Sequence, residues 1–343
     1  MWNNSLVQKL MIAIGGFVVL LVLIGLALPR HARVVASIEI DARPATVFAL
    51  VNDFDRVVLW SPWLETDPNA RVEISGEDSG VGAKMSWTGL VIGSGSQVIA
   101  TSEPFKHIGT LINPGDSAAA RSWFDFSDTG TSTVVDWTFE TDYGYNLVGR
   151  YTALLLNGVI RKDYEHGLQR LAELAESLPR TDFSNLEVEH LVVTAEDIAF
   201  RQTSSLPDPA STADALGKAY FRILNFIDAH ALQEAGAPML ISRSFDGNQM
   251  QFDAAIPIRG ITDETPTDAS SVKIGKTYEG PTVRVRHRGP YRSLVQTHRK
   301  ISAYLAAHGI DRNGNSWESF INDPTTVAES DILTDVYYPI REK

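Results

Sequence analysis

The chain has no cysteine in 343 residues. That excludes disulfides, thiolate metal sites and cysteine nucleophiles, and it leaves the redox compartment open. Histidine is scarce, with eight residues and no HExxH-type spacing, so no metal site is expected. Cationic residues are in the minority as well: 30 Lys and Arg stand against 42 Asp and Glu, a formal net charge of -12. A nucleic-acid partner requires a basic face for its phosphates, and none is expected here. Enzymatic signatures are missing too. Gly275-Lys276-Thr277 ends like a phosphate loop, but Ser270 stands where its first glycine belongs, and neither a GxSxG elbow nor an EF-hand loop occurs. No cofactor is expected.

What is present begins with one uncharged run, Leu10 to Leu28. At a rise of about 1.5 Å per residue, this is enough helix to cross a hydrocarbon core of roughly 30 Å. Pro29 and Arg30 end the run as an interface would. The first reading is a single-span anchor (residues 10–28) within an N-terminal segment of residues 1–32. The alternative is a cleaved signal peptide that exports the rest, since Gly25-Leu26-Ala27 offers small residues at the positions a peptidase reads. Lys9 on one side against Arg30 and Arg33 on the other leaves the side of the soluble part unresolved.

Residues 33–178 read as one domain. An alternating strand at Val34 to Ile40 is followed by a short helix at Thr46 to Asn52. Strand-like runs then recur near residues 71–74, 83–87, 97–102, 107–112, 121–126 and 133–140, separated by Gly, Asp, Asn, Ser and Pro, which implies an antiparallel meander. Tyr164, Leu168, Leu171, Ala175 and Leu178 recur at helical spacing and make a closing amphipathic helix. Pro44-x-x-Val47-Phe48-x-x-Val51-x-Asp53, Trp60-Ser61-Pro62-Trp63, Asp67-Pro68, Gly80-Val81-Gly82-Ala83 and Ser86-Trp87 follow in an order that resembles the SRPBCC (START-like, polyketide cyclase-like) superfamily. The resemblance implies a helix-grip fold, an antiparallel sheet around a long helix, with a hydrophobic pocket between them that binds lipids, polyketides or other apolar molecules. Trp60, Trp63, Trp87, Trp123 and Trp137 are its candidate lining, or plain core. No His/Asp pair in this segment reads as an acid-base dyad.

Residues 179–186 form a polar linker. Beyond it, residues 187–343 repeat themselves. A shift of 82 lays Phe252-Asp253-Ala254-Ala255-Ile256-Pro257-Ile258 over Thr334 to Ile340, so that Asp253 matches Asp335 and Pro257 matches Pro339. A shift of 78 lays Phe226 to His230 over Tyr304 to His308. Each copy reads strand, helix, strand, strand, and two copies predict one sheet with the helices on one side. Ser211 or Thr212 is expected to cap the first helix and Gly309 to stop the second. Leu216, Tyr220, Ile223 and Ile227 form the buried stripe of the first; Leu294, His298, Ile301 and Leu305 form that of the second, where His298 reads as packed core.

His287-Arg288-Gly289-Pro290-Tyr291, Trp317-Glu318-Ser319-Phe320, Asn322-Asp323-Pro324 and Leu333 to Ile340 together resemble the GyrI-like small-molecule-binding superfamily, built of two β-α-β-β repeats. Its members are effector-binding domains of AraC-type and MerR-type regulators, gyrase-inhibitory proteins and, occasionally, hydrolases. The resemblance implies an acidic group among aromatic rings that receives bulky, often cationic molecules, here Asp335 in place of the usual glutamate, with Glu318, Trp317, Tyr291, Tyr337 and Asp253. Glu318 matches the position from which the hydrolytic members act. A carboxylate among rings attracts a cation, each well-placed ring adding about 0.5–2 kcal/mol. Arg284, Arg286 and Arg288 alternate onto one face and read as a solvated edge.

The whole chain is therefore expected to be an α+β protein in which a membrane helix precedes a helix-grip domain and a duplicated β-α-β-β domain. Its expected role is binding or sensing small hydrophobic or amphipathic molecules. The alternatives are a hydrolase using Glu318 and a module that binds another polypeptide of unknown identity.

Overall fold

The computed structural model describes residues 4–113, 120–269 and 271–341. The first residues of the N-terminal segment, Ser270 and the last two residues lie outside them. The chain divides into two units, Met1–Ser184 and Asn185–Lys343.

The first unit runs α1 (Asn4–Ala27), β1 (His31–Ile40), α2 (Pro44–Val51), α3 (Phe54–Val57), α4 (Pro62–Thr66), β2 (Arg71–Ser75), β3 (Lys84–Thr88), β4 (Ser94–Glu103), β5 (His107–Asn113), β6 (Ala120–Asp128), β7 (Thr133–Asp142) and α5 (Leu147–Glu176). Helix α1 is long and apolar enough to cross a membrane. The strands form one antiparallel sheet in the order β1-β7-β6-β5-β4-β3-β2. Alternation explains the inner face: Ser122, Phe124 and Phe126 on β6 pair with Phe139, Trp137 and Val135 on β7, and neighbours across a ladder share a face. The C-terminal half of α5 lays Tyr164, Leu168, Leu171 and Ala175 into that face, all fully buried. Proline opens α2 and α4, where its missing N–H costs nothing.

Helix α5 begins at Leu147, well before the stripe that starts at Tyr164. Residues 147–160 are apolar on nearly every side, so they carry no amphipathic period to read.

The second unit runs β8 (Val188–Val193), β9 (Asp197–Ser205), α6 (Pro209–Ala229), β10 (Gln233–Glu234), β11 (Met239–Phe245), β12 (Met250–Arg259), β13 (Asp268–Ala269), β14 (Val272–Lys276), β15 (Gly280–Arg288), α7 (Leu294–His308), β16 (Trp317–Phe320) and β17 (Leu333–Pro339). The two copies are β9-α6-β11-β12 and β15-α7-β16-β17, and they join where β11 pairs with β16 in the sheet order β13-β14-β9-β12-β11-β16-β17-β15-β8. Both helices cover one face. Ile223 and Ile227 of α6 pack on Ala199, Ala254 and Ile256, and Ile301 and Leu305 of α7 pack on Val283, Val285 and Val336.

The cap of α6 differs from expectation. Asp208, not Ser211 or Thr212, caps it, its carboxylate accepting from the Ser211 N–H at 2.9 Å, because Pro209 fits best at the first helical position. Gly309 ends α7 with φ +65°, a left-handed conformation open to glycine at little cost.

Candidate ligand-binding sites

Between the sheet and α5 of the first unit lies a cavity of about 570 Å³. Its wall is an aromatic stack centred on Trp137, which lies 3.7 Å from Tyr164 and 4.7 Å from Phe124 between ring centroids, with Trp60 and Trp63 edge-on at 5.7 Å. These rings carry polar atoms that must be satisfied in a dry site. Ser122 does this: its Oγ accepts the Trp137 indole N–H at 2.8 Å, meets the Tyr164 hydroxyl at 3.1 Å and donates to the Thr138 carbonyl at 3.0 Å. Burial pushes the Tyr164 phenol well above its ordinary range, so it stays a neutral donor. Among the described residues lining the cavity none is charged and none is histidine.

In the second unit the register decides what meets what. Glu318 pairs with Leu240 and Val336, on the face that the helices cover. Trp317 pairs with Tyr337 and Ile241, Ser319 with Asp335, and Ile241 with Asp253, so these lie on the opposite, open face. There Trp317 and Tyr337 stack at 4.6 Å, and Asp253 and Trp317 line a cavity of about 280 Å³. On the helix face the Glu318 Oε1 lies 2.8 Å from His298 Nε2, and His298 Nδ1 lies 2.8 Å from the Tyr338 hydroxyl. The two ring nitrogens of His298 thus join Glu318 to Tyr338 in one chain of polar contacts. Burial raises the phenols of Tyr220 and Tyr291 above their ordinary range, and the Glu318 charge adds to both shifts.

Residues 31–176 match the family model described as polyketide cyclase / dehydrase and lipid transport, and residues 241–341 match that of the GyrI-like small molecule binding domain. The chain joins a polyketide-cyclase-like domain to a GyrI-like domain. Among solved structures, the EcmrR C-terminal domain is similar at 12% identity over 46% of this chain and 99% of that one, TM-score 0.38. A hydrolase from Listeria innocua is similar at 15% identity over 45% and 92%, TM-score 0.34, and a protein of Thermus thermophilus at 18% over 42% and 97%, TM-score 0.34. No curated protein matches the chain.

The single acidic cleft expected of the GyrI-like domain is divided by the sheet. Asp253, Asp335, Trp317 and Tyr337 share the open face; Glu318 is on the helix face, and Tyr291, packed edge-on to Phe320 at 5.4 Å, is on that side too. The open-face aspartates are also not free to meet a cation. Asp335 accepts Arg286 Nε and Nη2 at 2.7 and 2.8 Å, and Asp253 accepts Arg243 Nε and Nη2 at 2.7 and 2.6 Å. A forked guanidinium matches a carboxylate oxygen for oxygen. The expectation of a solvated edge fits Arg288, whose pair with Asp331 is exposed, and is corrected for Arg286 and Arg284, which stand 2.7 and 3.9 Å from the buried Asp335 carboxylate.

Two histidines depart from expectation. His298 is a polar partner, its side chain 25% exposed, because the turn of α7 that carries it lies over Glu318 and not over the apolar strands. In the polyketide-cyclase-like domain His107 Nδ1 lies 2.7 Å from Asp125. The two are cross-strand neighbours that no sequence spacing reveals, and neither lines the cavity. Of the five tryptophans, Trp60, Trp63, Trp87 and Trp137 line it, whereas Trp123 sits beneath the Arg33 guanidinium.

A pH dependence follows in the GyrI-like domain. His287 is buried, with Nδ1 2.8 Å from Thr297 Oγ1 and Nε2 3.1 Å from Ser293 Oγ, and burial lowers its pKa below the ordinary 6.5, as it does for His190. Below 6.5 the unfolded chain therefore binds more protons than the folded one, so stability is complete above that pH and falls as pH drops through the window beneath it. The thermal midpoint of this domain is expected to fall between pH 7 and 5, and His287→Gln to flatten the fall. An equal slope in that variant would remove His287 from the account.

Proposed function

We propose that the protein is a membrane-tethered binder of small hydrophobic or amphipathic molecules. The observation that carries this reading is the uncharged, aromatic cavity of the polyketide-cyclase-like domain, whose volume lies in the range that encloses a drug-sized ligand. The polar atoms of Trp137, Tyr164 and Ser122 on its aromatic wall are paired with each other, so an apolar guest displaces water there without stranding those donors. Among the described residues that line it there is no carboxylate, imidazole or amine, the groups that most often serve as general acid or base. In the GyrI-like domain the ligand-facing carboxylate is Glu318, with Tyr291 and Tyr220 beside it. The open-face group of Asp253, Asp335, Trp317 and Tyr337, with its charges already paired, suits a flat neutral molecule.

The test is to fill the cavity. Thr110 is buried on its wall, and Thr110→Trp places an indole in open space. Bound amphiphile, read by native mass spectrometry of the full chain released from lipid nanodiscs, is expected to fall at least about tenfold, or about 1.4 kcal/mol, with the fold retained. Unchanged occupancy would remove the cavity as the binding site.

The Glu318–His298–Tyr338 chain favours a second reading, hydrolysis of reactive hydrophobic molecules. A carboxylate held by an imidazole can activate a water, and Glu318→Gln would then cost about a hundredfold or more in turnover while binding persists. Wild-type protein that binds such compounds and never turns them over would exclude it.

A further inference from the structure

We propose that the mouth of the polyketide-cyclase-like cavity is seated in the interface of the membrane that α1 crosses. This rests on the reading of α1 as a membrane span.

Within residues 147–160 only Arg150 is charged, and it is buried. Its guanidinium donates to the carbonyls of Gly25, Leu26 and Leu28 at 3.2, 3.0 and 3.1 Å, and the Tyr151 hydroxyl donates to the Leu21 carbonyl at 2.6 Å. Gly25 and Leu26 are among the last carbonyls of α1, which have no partner within their own helix, and a cation is favoured at that end. The next residues round the same turns, Val148, Gly149, Thr152 and Leu156, line the cavity. The end of the span and the wall of the cavity are therefore separated by one helix, about 10 Å.

Among the described residues the rim presents apolar side chains to solvent on both sides. Val148 is 73% exposed, and across the mouth Leu90 and Val91 are 99% and 67% exposed, next to the lining residue Ile92. Leu90 and Val91 are not a frayed tip. The Gly89 N–H donates to the Gly93 carbonyl at 2.8 Å, and the buried Asp67 carboxylate accepts from the Val91 and Ile92 N–H groups at 2.8 and 3.4 Å. A loop held in place while presenting leucine and valine to water needs a cover. The bilayer fits, because α1 brings it to this edge and the exposed Arg161 and Lys162 follow residues 151–160 of α5, which carry no charge, where headgroups would lie. A ligand entering there comes from the lipid phase, so its class is a lipid or another molecule that partitions into one.

The chain's lack of cysteine allows single labels. Environment-sensitive fluorophores are placed on the full chain at Leu90→Cys, Val148→Cys and, at the far end of β4 from the loop, Lys106→Cys, all at exposed positions. The protein is reconstituted into phosphatidylcholine vesicles with some anionic lipid, and insertion is checked by flotation after carbonate washing. Quenching by doxyl-labelled lipid is expected to be several-fold greater at positions 90 and 148 than at 106. Equal, weak quenching at all three in protein that floats would overturn the docked mouth while leaving the span intact. A label at 90 shielded from water but unreached by lipid quenchers would assign the cover to protein and also overturn it. Protein released by carbonate would remove the span itself, and the proposal with it.

Discussion

Trp137→Ala is expected to destabilise the polyketide-cyclase-like domain by about 3–5 kcal/mol, the range for truncating a large buried aromatic. The indole is 4% exposed and touches four other rings, so its loss removes packing on every side, and pairs of this kind add about 0.5–1.5 kcal/mol beyond their area. It also frees Ser122 Oγ from one donor, while the Thr138 carbonyl and the Tyr164 hydroxyl keep that oxygen engaged. Trp137→Phe, which keeps one ring in the stack but loses the N–H and part of the indole's volume, is expected to cost less, about 1–2 kcal/mol. Hydrogen exchange resolved by domain is the readout: amides of β6, β7 and α5 lose protection and those of the GyrI-like domain keep theirs. Unaltered protection in Trp137→Ala would mean that the ring is a replaceable lining and that the cavity is supported from elsewhere.

Strand by strand, much of this architecture is legible in the residues. The alternation of β6 and β7, the stripe Tyr164 to Ala175 and the echo of Asp253 in Asp335 each report a local period, and a local period tells which residues of one element share a face. It does not tell which face of the next strand they share. Glu318 and Asp335 were expected in one cleft because each belongs to a motif rich in rings, yet the loop between β16 and β17 sets Ser319 opposite Asp335, and a one-residue difference moves Glu318 through the sheet. The arginine partners were hidden for a related reason. Arg286 reaches Asp335 from the neighbouring strand β15, whereas Arg243 reaches Asp253 from β11, so the repeated carboxylate is neutralised from a different side in each copy and the partner does not repeat with it. The first half of α5 lacked any polar face to betray a helix, which is also why it stands out as a surface.

Arg286→Ala should be the most damaging single change on the open face of the GyrI-like domain. The Asp335 side chain is 3% exposed, and its other cation, Arg284, stands 3.9 Å away and is shared with Glu189. Removing one partner of a buried ion pair costs about 3–5 kcal/mol, chiefly because the remaining charge is stranded. Arg286 is itself 53% exposed, so its departure admits water and lowers the expected loss to about 2 kcal/mol. If stranding is the cause, Asp335→Asn in the same chain restores most of the stability, although it removes a second native group. The double-mutant cycle, read as denaturation midpoints of the full chain, then shows strong coupling. The same variant tests whether a bare carboxylate beside Tyr337 and Trp317 attracts a cation: Arg286→Ala should bind a planar cationic dye on this face where the native protein does not, and Asp335→Asn should abolish the gain. Native protein that binds the dye as tightly as the variant would show that the arginine fork yields to a ligand, and the open face would regain the role that its pairing now denies it.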